Sequence, residues 1–286
     1  MGNISPPHAD GVMATGSGKG PEGRIAAFFD LDKTVIASSS TLAFTRPFYD
    51  SGLLSKRAVI KAAAAHLMFT FTAADHNQVE HLRRHVIDMC EGWDAGQIRA
   101  IVAETLDEVM APLVYTGAAD LIAEHKAAGH DVVLISASGV EMVEPIGAML
   151  GVDHVAASRM TLTPDGHYAG SLDFYCYGEE KAVEMRRLAQ LHGYDLDASF
   201  AYSDSVTDVP MLSAVGHPVA VNPDRQLRRI AVDNGWVTVD FERTEPLSGH
   251  FGDASSKVAV AVAVGVGAAA VGGVGLHAIR SHRRAG

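Results

Sequence analysis

The stretch Arg24-Ile25-Ala26-Ala27-Phe28-Phe29-Asp30-Leu31-Asp32-Lys33-Thr34 decides the fold. Apolar residues run from Ile25 to Phe29 and stop abruptly at a carboxylate. That is the pattern of a buried parallel strand opening into a polar loop. Asp30 and Asp32 then stand two positions apart where both can approach one centre. Carboxylates so close repel each other unless a cation or a shared proton intervenes.

Beyond this loop the pattern changes. From Ser38 to about Tyr115 the chain is alanine-rich with helical periodicity, which predicts three or four helices. Ser38 to Thr41 supplies N-cap residues, and Gly52 and Gly92-Trp93-Asp94 read as breaks. After Thr116 a helix over Ala118 to Ala128 is expected to end at Gly129, and Asp131-Val132-Val133-Leu134-Ile135-Ser136 reads as a second buried strand. Pro164-Asp165-Gly166 signals a hairpin between a run at Ala156 to Leu162 and another at Ser171 to Tyr175. A helix is expected from near Glu179, and a third strand ends at Asp204. Two short strands, Val219 to Val221 and Val237 to Phe241, flank a helix carrying Arg228 and Arg229. The expected fold is α/β: a doubly wound, mostly parallel sheet with an inserted α-helical cap and a C-terminal hydrophobic helix. Such sheets bind ligands at the carboxyl ends of their strands, where Asp30, Ser136 and Asp204 fall.

These strand ends suit one kind of chemistry. An anionic nucleophile attacking a phosphomonoester must approach an anionic phosphate, and Mg²⁺ with a lysine lowers that barrier. Asp204 and Asp208 in Ser203-Asp204-Ser205-Val206-Thr207-Asp208 are positioned to complete an oxygen-rich site of the kind Mg²⁺ prefers. Lys181 opens a helix after the hairpin, and Ser136 offers a hydroxyl beside the backbone N–H groups of Ala137 to Gly139.

Taken in order, FFDLDKT, VVLISAS, the lysine of GEEKA and YSDSVTDVPML resemble the four motifs of the haloacid dehalogenase (HAD) superfamily. The helical insertion between the first and second resembles its subfamily IB, phosphoserine-phosphatase-like branch, over about Arg24 to Phe241. The resemblance implies a Rossmann-like core and a Mg²⁺-dependent phosphomonoester hydrolase working through a phospho-aspartate. It implies Asp30 as nucleophile, Asp32 as general acid then base, and Ser136, Ala137 and Lys181 as phosphate ligands. Asp30, the Asp32 carbonyl and Asp204 would hold Mg²⁺, with Asp208 supporting the ion through a hydrogen bond or water. Thr207 departs from the Asn of many relatives, and Ser39 stands where phosphoserine phosphatases carry a glutamate for the substrate's amine, so free phosphoserine is a doubtful substrate. A phosphotransferase or mutase of the superfamily, or a binding protein that kept the fold, are the rivals. Asp32-Lys33-Thr34 is also similar to the motif of P-type ATPases, but Val35 replaces their glycine.

The domains expected are a flexible tail at 1–21, a catalytic core at 22–36 and 116–245, a helical cap at 37–115, a linker at 246–257, a transmembrane segment at 258–279 and a basic tail at 280–286. The GSGKG of the first tail fails as a P-loop, because Met13 stands where its first glycine belongs and Gly20 follows Lys19. The first twenty residues hold no apolar run long enough for a secretory signal, so the catalytic part is expected in the cytoplasm. Val258 to Leu276 is uncharged and followed by Arg280, Arg283 and Arg284, which reads as a membrane anchor in contact with lipid. A net charge of -11, from 34 acidic and 23 basic residues, argues against nucleic acid as a partner. Cys90 and Cys176 are expected to be reduced thiols. His81 and His85 share a helix face without a third ligand and read as a solvated face, while Arg83 and Arg84 read as an exposed helix face, with contact to an anionic substrate in the cap as the alternative. Phe44, Arg46 and Phe48 are candidates for lining the site's entrance.

Overall fold

The computed structural model describes residues 23–55 and 76–241, without the side chains of 76–82. The tails 1–21 and 280–286, the linker 246–257, the apolar segment 258–279, part of the cap at 56–75 and the His81 side chain all lie outside the described residues.

Seven strands form one sheet in the order β4-β3-β2-β1-β5-β6-β7. Their spans are β1 Ala26–Asp30, β2 Asp131–Gly139, β3 His154–Leu162, β4 Tyr168–Phe174, β5 Phe200–Ser203, β6 His217–Val221 and β7 Val237–Val239. All neighbours pair in parallel except β3 and β4, the hairpin at one edge. From β1 the chain moves outward through β2 to β4, then crosses back to β5 on the other side of β1. The order reverses there, so the crevice of the sheet opens at the carboxyl end of β1.

Strand alternation sorts the core into two layers. Ala27 and Phe29, with Val132, Leu134, Phe200 and Tyr202, face the helices Thr116–Ala127 (α5) and Val140–Leu150 (α6) through Leu121, Ile122, Val143 and Ile146. Ala26 and Phe28, with Val133, Ile135 and Ala201, face the helices Glu179–His192 (α7), Val209–Leu212 (α8) and Arg225–Asn234 (α9) through Met185, Leu188, Leu212 and Leu227. Phe29 and Tyr202 stack with ring centroids 4.3 Å apart, so the strand that delivers Asp30 is clamped one residue before its carboxylate.

Between β1 and β2 lie the helices Ser40–Ala43 (α1), Thr45–Asp50 (α2), His76–Cys90 (α3) and Ala95–Met110 (α4) among the described residues. Asp94 caps α4, accepting from the N–H groups of Gly96 at 2.7 Å and Gln97 at 3.2 Å. Phe44 and Phe48 correct the expectation of an entrance. Spaced i,i+4, they share a face, sit buried in the core and pack together toward Trp93. Arg46 points outward, beside Asp50 at 3.6 Å.

The hairpin turn carries Gly166 at φ 86°, a left-handed conformation that glycine adopts without a Cβ penalty. The loop at 92–95 bonds along this turn and the start of β4. Gly92 N–H donates to Tyr168 O at 2.9 Å, Tyr168 N–H to Trp93 O at 2.9 Å and Ala95 N–H to Gly166 O at 3.1 Å. β7 is shorter than the expected strand, since Phe241 leaves the sheet to pack beside Tyr115 with ring centroids 5.8 Å apart. No helix among the described residues is long and apolar enough to cross a membrane.

Candidate active site

β1 ends in a tight coil built by its own backbone. The Leu31 carbonyl accepts N–H groups from Val35 at 2.9 Å, Ile36 at 3.1 Å and Thr34 at 3.3 Å, with Lys33 at φ 63°. A lysine in the left-handed region costs energy, so the coil is held by these bonds and by the burial of Leu31, Val35 and Ile36. Asp30 and Asp32 therefore leave the strand at its crevice end on a short, fixed segment.

Around Asp30 the core supplies an ion network. Lys181, buried near the start of α7, donates from Nζ to Asp30 Oδ1 at 2.6 Å and to Asp208 Oδ2 at 2.7 Å. Ser203, the last residue of β5, donates from Oγ to the same Asp208 oxygen at 2.7 Å. Asp204 follows β5 directly, and Thr34 Oγ1 approaches its Oδ1 at 3.5 Å. Asp224 ties this loop to the next. Its N–H donates to the Asp204 carbonyl at 2.8 Å, and its Oδ2 accepts from Val206 N–H at 2.8 Å.

Asp32 is held separately. Its Oδ1 accepts from Ser40 N–H at 2.8 Å and its Oδ2 from Ser138 Oγ at 3.0 Å, while Ser40 Oγ donates to Ser138 Oγ at 2.8 Å. Ser136 is buried, and its Oγ accepts from Ser138 N–H at 3.1 Å. Of the backbone donors expected at 137–139, that of Ser138 is thus already engaged within the loop. The pairing of β2 with β3 shifts register between Ser136 and Gly139, which lets this segment curl over the strand end.

Desolvation, then the neighbouring carboxylates Asp208, Asp204 and Asp32, push Asp30 up to about 8 against the pull of Lys181. Asp204 is pushed up to about 7, by burial first, with Asp208 adding to it and Lys33 opposing. Burial also raises Asp32, against the hydrogen bonds from Ser40 and Ser138. Lys181 is held above its ordinary range by Asp208 and Asp30, which outweigh its own desolvation.

Four carboxylates thus share this centre with the ammonium groups of Lys181 and Lys33. A divalent cation would offset the excess negative charge. Asp208 Oδ1 is buried with no hydrogen-bond partner, an acceptor that fits a water or ion beside it. No group of three His, Cys, Asp or Glu side chains among the described residues is arranged to hold a metal by side chains alone. The donor set that the resemblance implies, two carboxylates and a backbone carbonyl, is of another kind, and all-oxygen donors would suit Mg²⁺.

Other candidates stand apart. His85 is exposed. Cys90 and Cys176 are free, and burial pushes each thiol up to about 12, far from reactive thiolates. Arg83 lies over Tyr175 at 5.4 Å, and Tyr175 stacks on Tyr177. Reasoning from sequence misses Ser40, Ser138 and Ser203. Ser138 lies two residues past Ser136 in VVLISAS, and Ser203 immediately before Asp204 in YSD, so adjacency to a motif is their only signal.

A family model described as haloacid dehalogenase-like hydrolase matches residues 27–213. A probable phosphatase of Mycobacterium tuberculosis (strain ATCC 25618 / H37Rv) is 52% identical over 239 residues, covering 84% of this chain and 83% of that protein. A phosphoserine phosphatase of the same strain is 35% identical over 234 residues, covering 80% of this chain and 76% of that protein. Among solved structures, a protein of unknown function from Bordetella pertussis Tohama I superposes with a TM-score of 0.66 at 27% identity, covering 76% of this chain and 99% of that one. A substrate-bound phosphoserine phosphatase shares the fold, with a TM-score of 0.56 at 16% identity over 79% of this chain and 96% of that one. With the four motifs gathered at one end of a seven-stranded α/β sheet, this chain belongs to the haloacid dehalogenase-like hydrolases, in their phosphoserine-phosphatase-like branch.

Proposed function

We propose that the chain is a phosphatase that cleaves phosphomonoesters by way of a phosphoryl group carried on Asp30. The observation that carries this reading is that the two aspartates are held by separate sets of partners. Asp30 is bonded to a buried lysine, while Asp32 is held by hydroxyl and amide donors of its own. In the first step an Asp30 oxygen bonds to phosphorus as the ester P–O bond breaks, and the leaving oxygen takes its electron pair together with the Asp32 proton. In the second step water attacks the phosphorus, Asp32 accepts the water's proton, and the Asp30–phosphorus bond breaks to release phosphate. Ser136, the N–H of Ala137 and Lys181 hold the phosphoryl oxygens. Asp30, the Asp32 carbonyl and Asp204 would hold Mg²⁺, with Asp208 behind them, and the ion would supply charge neutralisation between nucleophile and phosphate.

Trapping tests this directly. Acid quench during turnover should leave one phosphoryl group on the peptide containing Asp30, and Asp30→Asn should leave none. Turnover in the absence of any phosphoryl-enzyme would overturn the reading. Activity should require Mg²⁺ and be inhibited by Ca²⁺, whose longer bonds and higher ligand number let Asp30 bind it through both oxygens. Full activity in excess chelator contradicts this.

The helical insertion between β1 and β2 is proposed as the cap that selects the leaving group. Free phosphoserine should be turned over poorly, since Ser39 carries no charge for an amine; selective hydrolysis of phosphoserine would refute that. The apolar segment 258–276 is proposed as an anchor, which favours lipid-linked phosphates among small organic ones. Truncation before Ser256 should move the protein from the membrane to the soluble fraction with activity intact. Recovery of the full chain in the soluble fraction without detergent would exclude the anchor.

A further inference from the structure

Two segments meet on the Asp32 carboxylate, one 8 residues along the chain and the other 106 residues away. Ser40 begins the helical insertion, Ser138 belongs to the curled end of β2, and both are buried. Ser138 Oγ donates its hydrogen to Asp32 Oδ2 and in turn receives the hydrogen of Ser40 Oγ. The chain of donors therefore runs one way, from Ser40 through Ser138 to Asp32 Oδ2, with the Ser40 amide closing on Oδ1. Ser138 N–H also bonds to Ser136 Oγ, a contact that does not use that hydroxyl's own hydrogen.

We propose that Ser138 and Ser40 are positioning residues that orient Asp32 for proton transfer and link its orientation to both the phosphate loop and the start of the insertion. The inference rests on Asp32 being the acid and base of the reaction. When Asp32 gives its proton to the leaving oxygen, negative charge appears on a carboxylate whose donors are already in place, so little reorganisation is required. When it later takes the proton of the attacking water, the same donors hold the receiving oxygen in line. The Ser40 side of the chain makes this alignment depend on the insertion being seated. The Ser138 side ties it to Ser136 and hence to the phosphoryl group. A pair of serines that only filled space would slow every substrate alike.

The test uses the full chain with Mg²⁺ and a series of phosphomonoesters from p-nitrophenyl phosphate to simple alkyl phosphates, with phosphoryl-enzyme formation followed in single turnover. Ser138→Ala should slow phosphoryl-enzyme formation from alkyl phosphates about 10-fold to 100-fold, a part of the roughly 10² to 10⁴ that a general acid supplies. It should slow formation from p-nitrophenyl phosphate less than about 3-fold, because that leaving group needs little protonation. Hydrolysis of the phosphoryl-enzyme should slow by one common factor, whichever ester formed it. Ser138→Thr should restore most of the loss, and Ser40→Ala should act in the same sense but more weakly, since its amide remains. Ser138→Cys keeps the volume with a poorer donor and serves if the alanine variant does not fold. Equal slowing across all leaving groups, or none, overturns the relay. Asp32→Asn in the same series separates the two claims. If it too is insensitive to the leaving group, the acid assignment fails and the relay with it. If it is sensitive while the serine variants are not, the relay alone is wrong.

Discussion

Lys181 is the residue on which the centre turns, because a buried ammonium stands between two buried carboxylates at 2.6 and 2.7 Å. Lys181→Met leaves Asp30 and Asp208 facing each other without their cation. Breaking one side of such a network costs about 3 to 5 kcal/mol, so urea unfolding should show a loss of that order together with loss of activity. An unchanged unfolding midpoint would mean that the lysine does not hold these charges in solution. Ser203→Ala removes one of the two donors to Asp208 Oδ2 and should cost about 1 to 2 kcal/mol while sparing the fold. Asp30 and Asp204 are legible in the amino-acid sequence because each closes a strand-like run at the edge of a polar loop. Ser40, Ser138 and Ser203 are not, because a serine at the start of a helix or the end of a strand reads equally as a cap, a turn former or a solvated hydroxyl. Phe44 and Phe48 mislead for a similar reason: an i,i+4 aromatic pair fits a pocket wall and a core face alike, and only the packing against Trp93 decides.

Elements bring their own vulnerabilities. Gly216 precedes β6 where the chain passes against the 195–198 loop, and a Cβ there would overlap the Asp197 carbonyl oxygen. Backbone cannot rotate aside as a side chain does, so Gly216→Ala should destabilise by about 1 to 3 kcal/mol, read as a lower thermal midpoint with kcat unchanged. On α5, His125 lies buried with Nε2 at 2.7 Å from the Tyr202 hydroxyl and Nδ1 at 2.8 Å from His130 Nδ1. Desolvation, then His130, holds it down at about 4. The unfolded chain takes up this proton below the ordinary histidine value and the folded one only near 4, so stability is full above about 6.5 and falls as the pH drops toward 4. The loss should reach about 2 to 3 kcal/mol. His125→Gln should flatten that stretch of the stability curve, and an equal slope in the variant would assign the effect elsewhere. The central strands β1 and β2 are legible because their apolar runs end sharply at polar residues. The extension of β2 to Gly139 is not, since a shift of register leaves no trace in composition.

For the whole molecule, the proposed cation ties catalysis to stability. An ion that binds only the folded chain stabilises it by mass action, about 2.7 kcal/mol at a hundred times its dissociation constant, so Mg²⁺ should raise the thermal midpoint by several degrees. Asp204→Asn should abolish that rise; an undiminished rise would place the ion elsewhere. The hairpin edge has a different meaning for the molecule in company. A sheet's open flank is an invitation to any strand that drifts past, and such recruitment is how folded chains become polymers. Here the loop at 92–95 already occupies the turn and the first residue of β4 with main-chain bonds, as a selvedge finishes cloth. A newcomer on that flank is thus denied its first rung at Tyr168, and on the opposite flank Val237–Val239 offers three residues of template, too short a seam for a newcomer to hold.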